Sequence, residues 1–117
     1  VWNLKRSGLN SAASIGTVNG HDYSMVISAT ATAYCDKGTT ASGLRSQVGV
    51  VAVDPRVIPL GTRLYIESAD GSWSYGVCVA GDTGGAIKGN KVDLFYDSYN
   101  QCIQFGRRGC NIYVLAD

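Results

Sequence analysis

The chain has 117 residues, 45% hydrophobic and 16% charged, which fits one folded domain, leaves no room for two ordinary ones and excludes a disordered chain. Ten Lys and Arg against nine Asp and Glu give a net charge of +1, too little basic excess to point to nucleic acid or an anionic membrane as partner. No apolar run approaches the roughly 18 residues of a membrane-spanning helix, so no membrane insertion is expected. The chain begins at Val1 without a signal-peptide pattern, and it reads as a mature domain whose secretion signal lay upstream.

In chain order, residues 1–28 form an arm or linker whose first part is rich in Ser, Asn and Gly, and residues 29–117 form the domain proper. Short runs rich in Val, Ile, Thr and Tyr predict strands over 24–33, 48–53, 63–68, 75–80, 92–95 and 111–115. Asp70-Gly71 is the strongest hairpin signal, between the third and fourth of these runs. A short helical turn is expected over 54–57, ahead of Pro59. A helix is expected over 98–105, where Tyr99, Cys102, Ile103 and Phe105 have rough helical spacing and Gly106 can end it. A mainly β fold follows: six short strands, one or two short helices, and a closed arrangement that leaves few open edges.

None of the four cysteines, Cys35, Cys78, Cys102 and Cys110, forms a C-x-x-C pair, and with the single His21 they match no common zinc module. An even count in a small domain fits two disulfides in an oxidising compartment. Cys102 and Cys110 flank a Gly- and Arg-rich turn, so the expected pairs are Cys102–Cys110 and Cys35–Cys78; four buried thiols are the alternative.

Three segments can carry chemistry. Val50-Val51-Ala52-Val53 delivers Asp54 to a strand end before Pro55, where it either caps the next turn or serves a site. Val79-Ala80-Gly81 delivers Asp82, followed by Thr83, Gly84 and Gly85, small residues that let a backbone or a sugar approach closely. Asp93 sits among Val92, Leu94 and Phe95. A carboxyl there is costly to ionise, and ionised Asp82 nearby would raise its pKa further. A carboxyl kept protonated near neutral pH can act as a general acid. With one histidine, in the expected arm, a Ser-His-Asp triad or a Cys-His pair is excluded. No calcium-loop spacing surrounds the aspartates, so neither metal nor other cofactor is expected. Asp82-Thr83-Gly84 also spells the aspartic protease triplet, but those enzymes need two such aspartates sharing a proton, and the following residues do not continue as a protease strand.

The run Val51-Ala52-Val53-Asp54-Pro55, then Ile58-Pro59-Leu60-Gly61-Thr62, then Asp82-Thr83-Gly84-Gly85-Ala86-Ile87-Lys88-Gly89, then Val92-Asp93-Leu94-Phe95, closely resembles the 3D domain, a family named for three aspartates. Ala31-Thr32-Ala33-Tyr34 with Thr40-Ala41-Ser42-Gly43 resembles its start, and Gly106-Arg107-Arg108 with Ile112-Tyr113-Val114-Leu115 its end, so the likeness covers about residues 29–115. It occurs in stationary-phase survival proteins of Gram-positive bacteria and in the core of membrane-bound lytic transglycosylase A. The resemblance implies a small six-stranded double-psi β-barrel and cleavage of peptidoglycan glycan strands at the cell wall. It implies Asp93 as the principal acid/base, Asp82 as its partner and Asp54 in support, with Thr32, Tyr34, Thr83, Gly84, Gly85 and Lys88 along the groove. The four cysteines depart from the family pattern. The larger transglycosylase has a second domain that walls its groove, for which this chain has no room; the groove is then open, or a homodimer completes it, with strand exchange through the arm as one route. Two rivals stand beside the enzyme: a glycan-binding module of the expansin-like type, with Trp73, Tyr75, Tyr96 and Tyr99 as an aromatic strip, and an inverting hydrolase using two aspartates.

Overall fold

The computed structural model describes residues 10 and 12–116; the rest of the expected arm lies outside the described residues. Seven strands and one helix follow in order: β1 (Gly16–Val18), β2 (His21–Tyr34), β3 (Val50–Val53), β4 (Arg63–Ser68), β5 (Ser74–Asp82), β6 (Lys91–Phe95), α1 (Tyr99–Phe105) and β7 (Arg108–Leu115). All six predicted runs are strands, each at or within a few residues of its expected bounds.

The strands form one sheet in the order β1-β2-β6-β3-β5-β4-β7, and β7 pairs back onto β2. Six strands therefore close into a ring, with β1 added at the start of β2. Two pairings are parallel, β2 with β6 and β3 with β5; the others are antiparallel. The interior is filled by side chains that alternate along the strands, among them Ala31, Leu64, Ile66, Val92, Leu94, Ile112 and Val114, all at 0% exposure. Burying each Val, Leu or Ile stabilises the fold by about 1.5–3 kcal/mol. β3 is buried on both faces, with all four residues at 4% exposure or less. Among the described residues no helix is long and apolar enough to cross a membrane.

The boundary expected at residues 28 and 29 falls inside β2, whose first half pairs with β7 from Tyr23 to Ser28. The overlooked signal is Asn19-Gly20, both with positive φ (47° and 81°), which turns β1 onto β2 as a tight hairpin. The Asp70-Gly71 turn joins β4 to β5 as expected, and Asp70 Oδ1 accepts from the Ser72 amide (3.0 Å) and hydroxyl (2.6 Å). In α1, Ser98 caps the N-terminus by accepting from Gln101 N–H (3.3 Å), and Gly106 (φ 66°) follows the C-terminus. The expected turn after Asp54 is present, with Val57 and Ile58 N–H both donating to Asp54 O at 2.9 Å.

The expected cysteine pairing is corrected. All four are free thiols. Helix α1 packs on β2, so Cys102 meets Cys35 just beyond the end of β2, and burial together with the hydrogen bond to Cys35 pushes the Cys102 thiol up to about 11. Cys110 instead turns inward from β7 and shares the core with Cys78. Adjacency in sequence across the α1–β7 turn misled, because helix and strand aim the two side chains at different neighbours.

Candidate active site

Asp93 lies at the centre of β6, between Thr32 of β2 and Ala52 of β3 in register. It is half-buried, and Thr32 Oγ1 donates to its Oδ1 at 2.9 Å. Burial raises the Asp93 pKa; the Thr32 hydrogen bond opposes the rise, and the charge of Asp82 adds to it. Asp82 ends β5, where Ala52 is again the register partner, after a bulge at Gly81 of β5. One small residue thus stands between the two carboxylates, and strand spacing puts their Cα atoms about 10 Å apart. Asp82 Oδ1 accepts from Ala41 N–H (3.0 Å) and Thr83 N–H (2.8 Å).

The loop over 35–49 brings that Ala41 amide to Asp82. Thr40 Oγ1 donates to Leu44 O (2.7 Å), and Ser42 N–H donates to Gly81 O (3.0 Å). Gly81 leaves room for both β3 and the loop: a Cβ there would stand 2.5 Å from Val50 Cγ1 and 3.3 Å from Ser42 Oγ.

Two hollows meet at Asp93. One, of about 300 Å³, is lined by Tyr34, Asp36, Lys37, Asp82, Thr83 and Gly84 among others. The second, of about 270 Å³, is lined by Thr30, Thr32, Ala33, Ala86, Ile87, Lys91 and Arg107. Asp93 lines both. Tyr34 packs edge-on against Phe95 at 5.4 Å. Its hydroxyl is buried without a hydrogen-bond partner among the described residues; burial and then the charges of Asp82 and Asp93 push its pKa up to about 12.

The structure therefore brings together Asp93, Asp82, Thr32, Tyr34, Thr83 and Gly84. Gly85 and Lys88 lie on the same β5–β6 loop but line neither hollow. Asp54 does not join the group either. It is 2% exposed and accepts from Arg56 Nε (3.0 Å), Arg56 Nη2 (2.8 Å), Arg56 N–H (3.0 Å) and Gly89 N–H (2.8 Å). The Arg56 side chain, then the Gly89 and Arg56 amides, hold its carboxyl well below the usual carboxylate range. Asp54 thus ties the end of β3 to the β5–β6 loop. Lys91, Arg107, Asp36 and Lys37 escaped sequence reasoning. For Lys91 a signal existed: it stands two residues before Asp93, on the same face of a strand.

Three of the four aromatics considered as a binding strip pack against the core. Trp73 meets Phe105 edge-on at 5.1 Å and Tyr75 meets Tyr96 at 5.5 Å, while Tyr99 alone is largely exposed, at 68%. Among the described residues, no group of three or more His, Cys, Asp or Glu is placed to hold a metal ion.

A family model described as the 3D domain matches residues 49–116. The chain is 40% identical over 106 residues to "Cell wall-binding protein YocH" of Bacillus subtilis, an alignment covering 83% of this chain and 35% of that protein. It is also 40% identical over 98 residues to "Putative cell wall shaping protein YabE" of the same organism, covering 78% of this chain and 23% of that one. The chain thus spans about a third or less of the length of these relatives. Among solved structures it is similar to MltA from E. coli (27% identity, TM-score 0.57, covering 67% of this chain and 27% of that one). It is likewise similar to the lytic transglycosylase LtgG of Burkholderia pseudomallei (26% identity, TM-score 0.56, 70% and 27% covered).

Proposed function

The chain belongs to the 3D domain family, and from that premise we propose that it is a lytic transglycosylase that cuts the bond between N-acetylmuramic acid and N-acetylglucosamine in peptidoglycan. We read the ring of strands as a double-psi β-barrel, a reading supported by its two parallel pairings and its likeness to MltA. Its place is outside the cell, at the wall of a Gram-positive-type bacterium, in keeping with the names of its Bacillus relatives.

Asp93, whose hold on its proton is strengthened by burial and by the charge of Asp82, donates that proton to the glycosidic oxygen as the C1–O bond breaks. The sugar passes through an oxocarbenium-like state, while Asp82, across Ala52, orients Asp93 and by its charge strengthens its hold on the proton. Ionised Asp93 then takes the proton of the sugar's own C6 hydroxyl while O6 bonds to C1. The product is a 1,6-anhydro sugar, and Asp93 is protonated again. No water takes part, so one acid/base suffices. Thr32 and Tyr34 position groups around Asp93, Thr83 and Gly84 shape one wall, and Gly85 and Lys88 meet glycan that extends past the two hollows. Asp54 acts as a positioning residue, fixing that loop from behind.

The observation that carries this reading is the half-buried Asp93 at the junction of two hollows, with Asp82 across a single alanine. Mass spectrometry of digested wall material tests it. Wild type should release 1,6-anhydro-muropeptides, and Asp93→Asn should lose that activity by at least about 100-fold with its melting transition intact. Full activity in the variant removes Asp93 from the mechanism. Reducing-end products would make the domain a hydrolase. Tight wall binding without any product would make it a binding module, the second reading, which the name of its cell wall-binding relative favours.

A further inference from the structure

The two hollows beside Asp93 differ in charge. On the Asp82 side the charged lining, apart from Asp93 itself, is Asp36, Lys37 and Asp82. On the other side, apart from Asp93 itself, it is Lys91 and Arg107 alone. Neither cation has an ion pair or hydrogen bond among the described residues. The neighbouring Arg108 is different: its Nε donates to Phe105 O (2.8 Å) and its guanidinium lies 4.6 Å over the Phe105 ring. Lys91 and Asp93 share a face of β6, paired in register with Thr30 and Thr32 of β2. Two residues of strand separate their Cα atoms by about 6.5 Å. Arg107 immediately precedes β7, whose first residue pairs with Ala31 of β2. Two cations thus line the hollow beside Thr30 and Thr32, with Lys91 about one sugar ring away from the proposed acid along β6.

We infer that the hollow lined by Lys91 and Arg107 is a subsite for the muramic acid ring and that these two residues recognise a carboxylate of its peptide stem. This rests on the glycan-cleaving reading above. The chemistry fits the placement. Muramic acid supplies C1 of the broken bond and carries its stem on the same ring, through the lactyl group at C3. An anionic stem therefore hangs close to the scissile bond, on one side of it only. The acidic side across Asp93 then receives the uncharged N-acetylglucosamine. Apolar Ala33, Ala86 and Ile87 complete the basic hollow and suit the ring face and acetyl methyl of the sugar.

The test compares one preparation of the protein on three glycans: stem-bearing strands, strands stripped of stems by an amidase whose newly exposed lactyl carboxylates are then capped as neutral amides, and stem-bearing strands freed of wall phosphate polymer by hydrofluoric acid. Cleavage and pelleting with the glycan are both read. Wild type should prefer stem-bearing over stripped strands by about five- to tenfold, less so at high salt. The ratio should fall towards one in a Lys91→Gln, Arg107→Gln double variant. Because both glycans meet the same preparation, any loss of folded protein cancels in the ratio. Equal action of wild type on both glycans overturns the inference and leaves the enzyme reading standing. So does a preference that survives in the double variant, or one abolished by phosphate removal instead of stem removal. Neither binding nor cleavage of any glycan overturns the reading itself, and the inference with it.

Discussion

Asp54 and Asp93 occupy adjoining strands of one ring, one just past the end of β3 and the other inside β6, and their surroundings push them in opposite directions. Asp54 is the more deeply buried, yet four hydrogen bonds from Arg56 and Gly89 hold it ionised. Asp93 is less buried, but it has one hydroxyl for company and a second carboxylate across the strand, so its proton is retained more strongly. Burial alone decides neither case; the number and kind of donors at the carboxyl does. The first arrangement suits a clamp that holds a loop, the second an acid that gives up a proton only when substrate arrives.

The contrast can be tested through stability and rate together. Asp54→Asn should lower the melting temperature by several degrees, the largest structural effect expected here, since it leaves the Arg56 guanidinium and the Gly89 amide facing an amide instead of a carboxylate. Differential scanning calorimetry measures it. An unchanged transition would mean that the clamp contributes little. The pH dependence should carry the same signature. A carboxyl whose folded pKa is lowered stabilises the fold above the unfolded value of about 3.9, and that stabilisation is lost as pH falls from there through the lowered folded value. Wild type should therefore lose more stability on acidification below pH 5 than Asp54→Asn does.

Thr32→Val sharpens the other half. The hydroxyl favours the ionised form of Asp93, so removing it should move the alkaline limb of the activity profile to higher pH. A limb that stays in place would detach Thr32 from the titration. The smallest effect on stability is expected in Asp93→Asn. A raised folded pKa stabilises the fold below the unfolded value and is lost as pH rises through the folded one. At neutral pH the wild-type carboxylate is thus a small cost, and the variant should melt slightly higher than wild type at pH 7 but not at pH 4. A lower melting point at pH 7 would contradict the environment described for Asp93.

Much of the molecule was legible in advance. The β-branched runs placed β2 to β7, Asp70-Gly71 placed a hairpin, and Ser98 with Gly106 bounded the helix, because alternation, turn chemistry and capping act between near neighbours. Asp82 and Asp93 stood out for the same local reason, as carboxylates at the end of or inside apolar strands. Asn19-Gly20 is an equally local signal, and it turns β1 onto β2 inside the expected arm.

The sequence by itself determined which segments extend, where they turn and which carboxylates stand among apolar neighbours. Only the tertiary structure decided that Thr32 reaches Asp93 across 61 residues, that Ala52 alone separates Asp93 from Asp82, that Cys102 meets Cys35, and that Asp54 spends its oxygens on Arg56 and Gly89. The reason is register. Closure of the ring fixes which residue faces which across strand pairs far apart in the chain, and a slip of one position would send Thr32, Ala52, Asp82 or Asp93 to the other face.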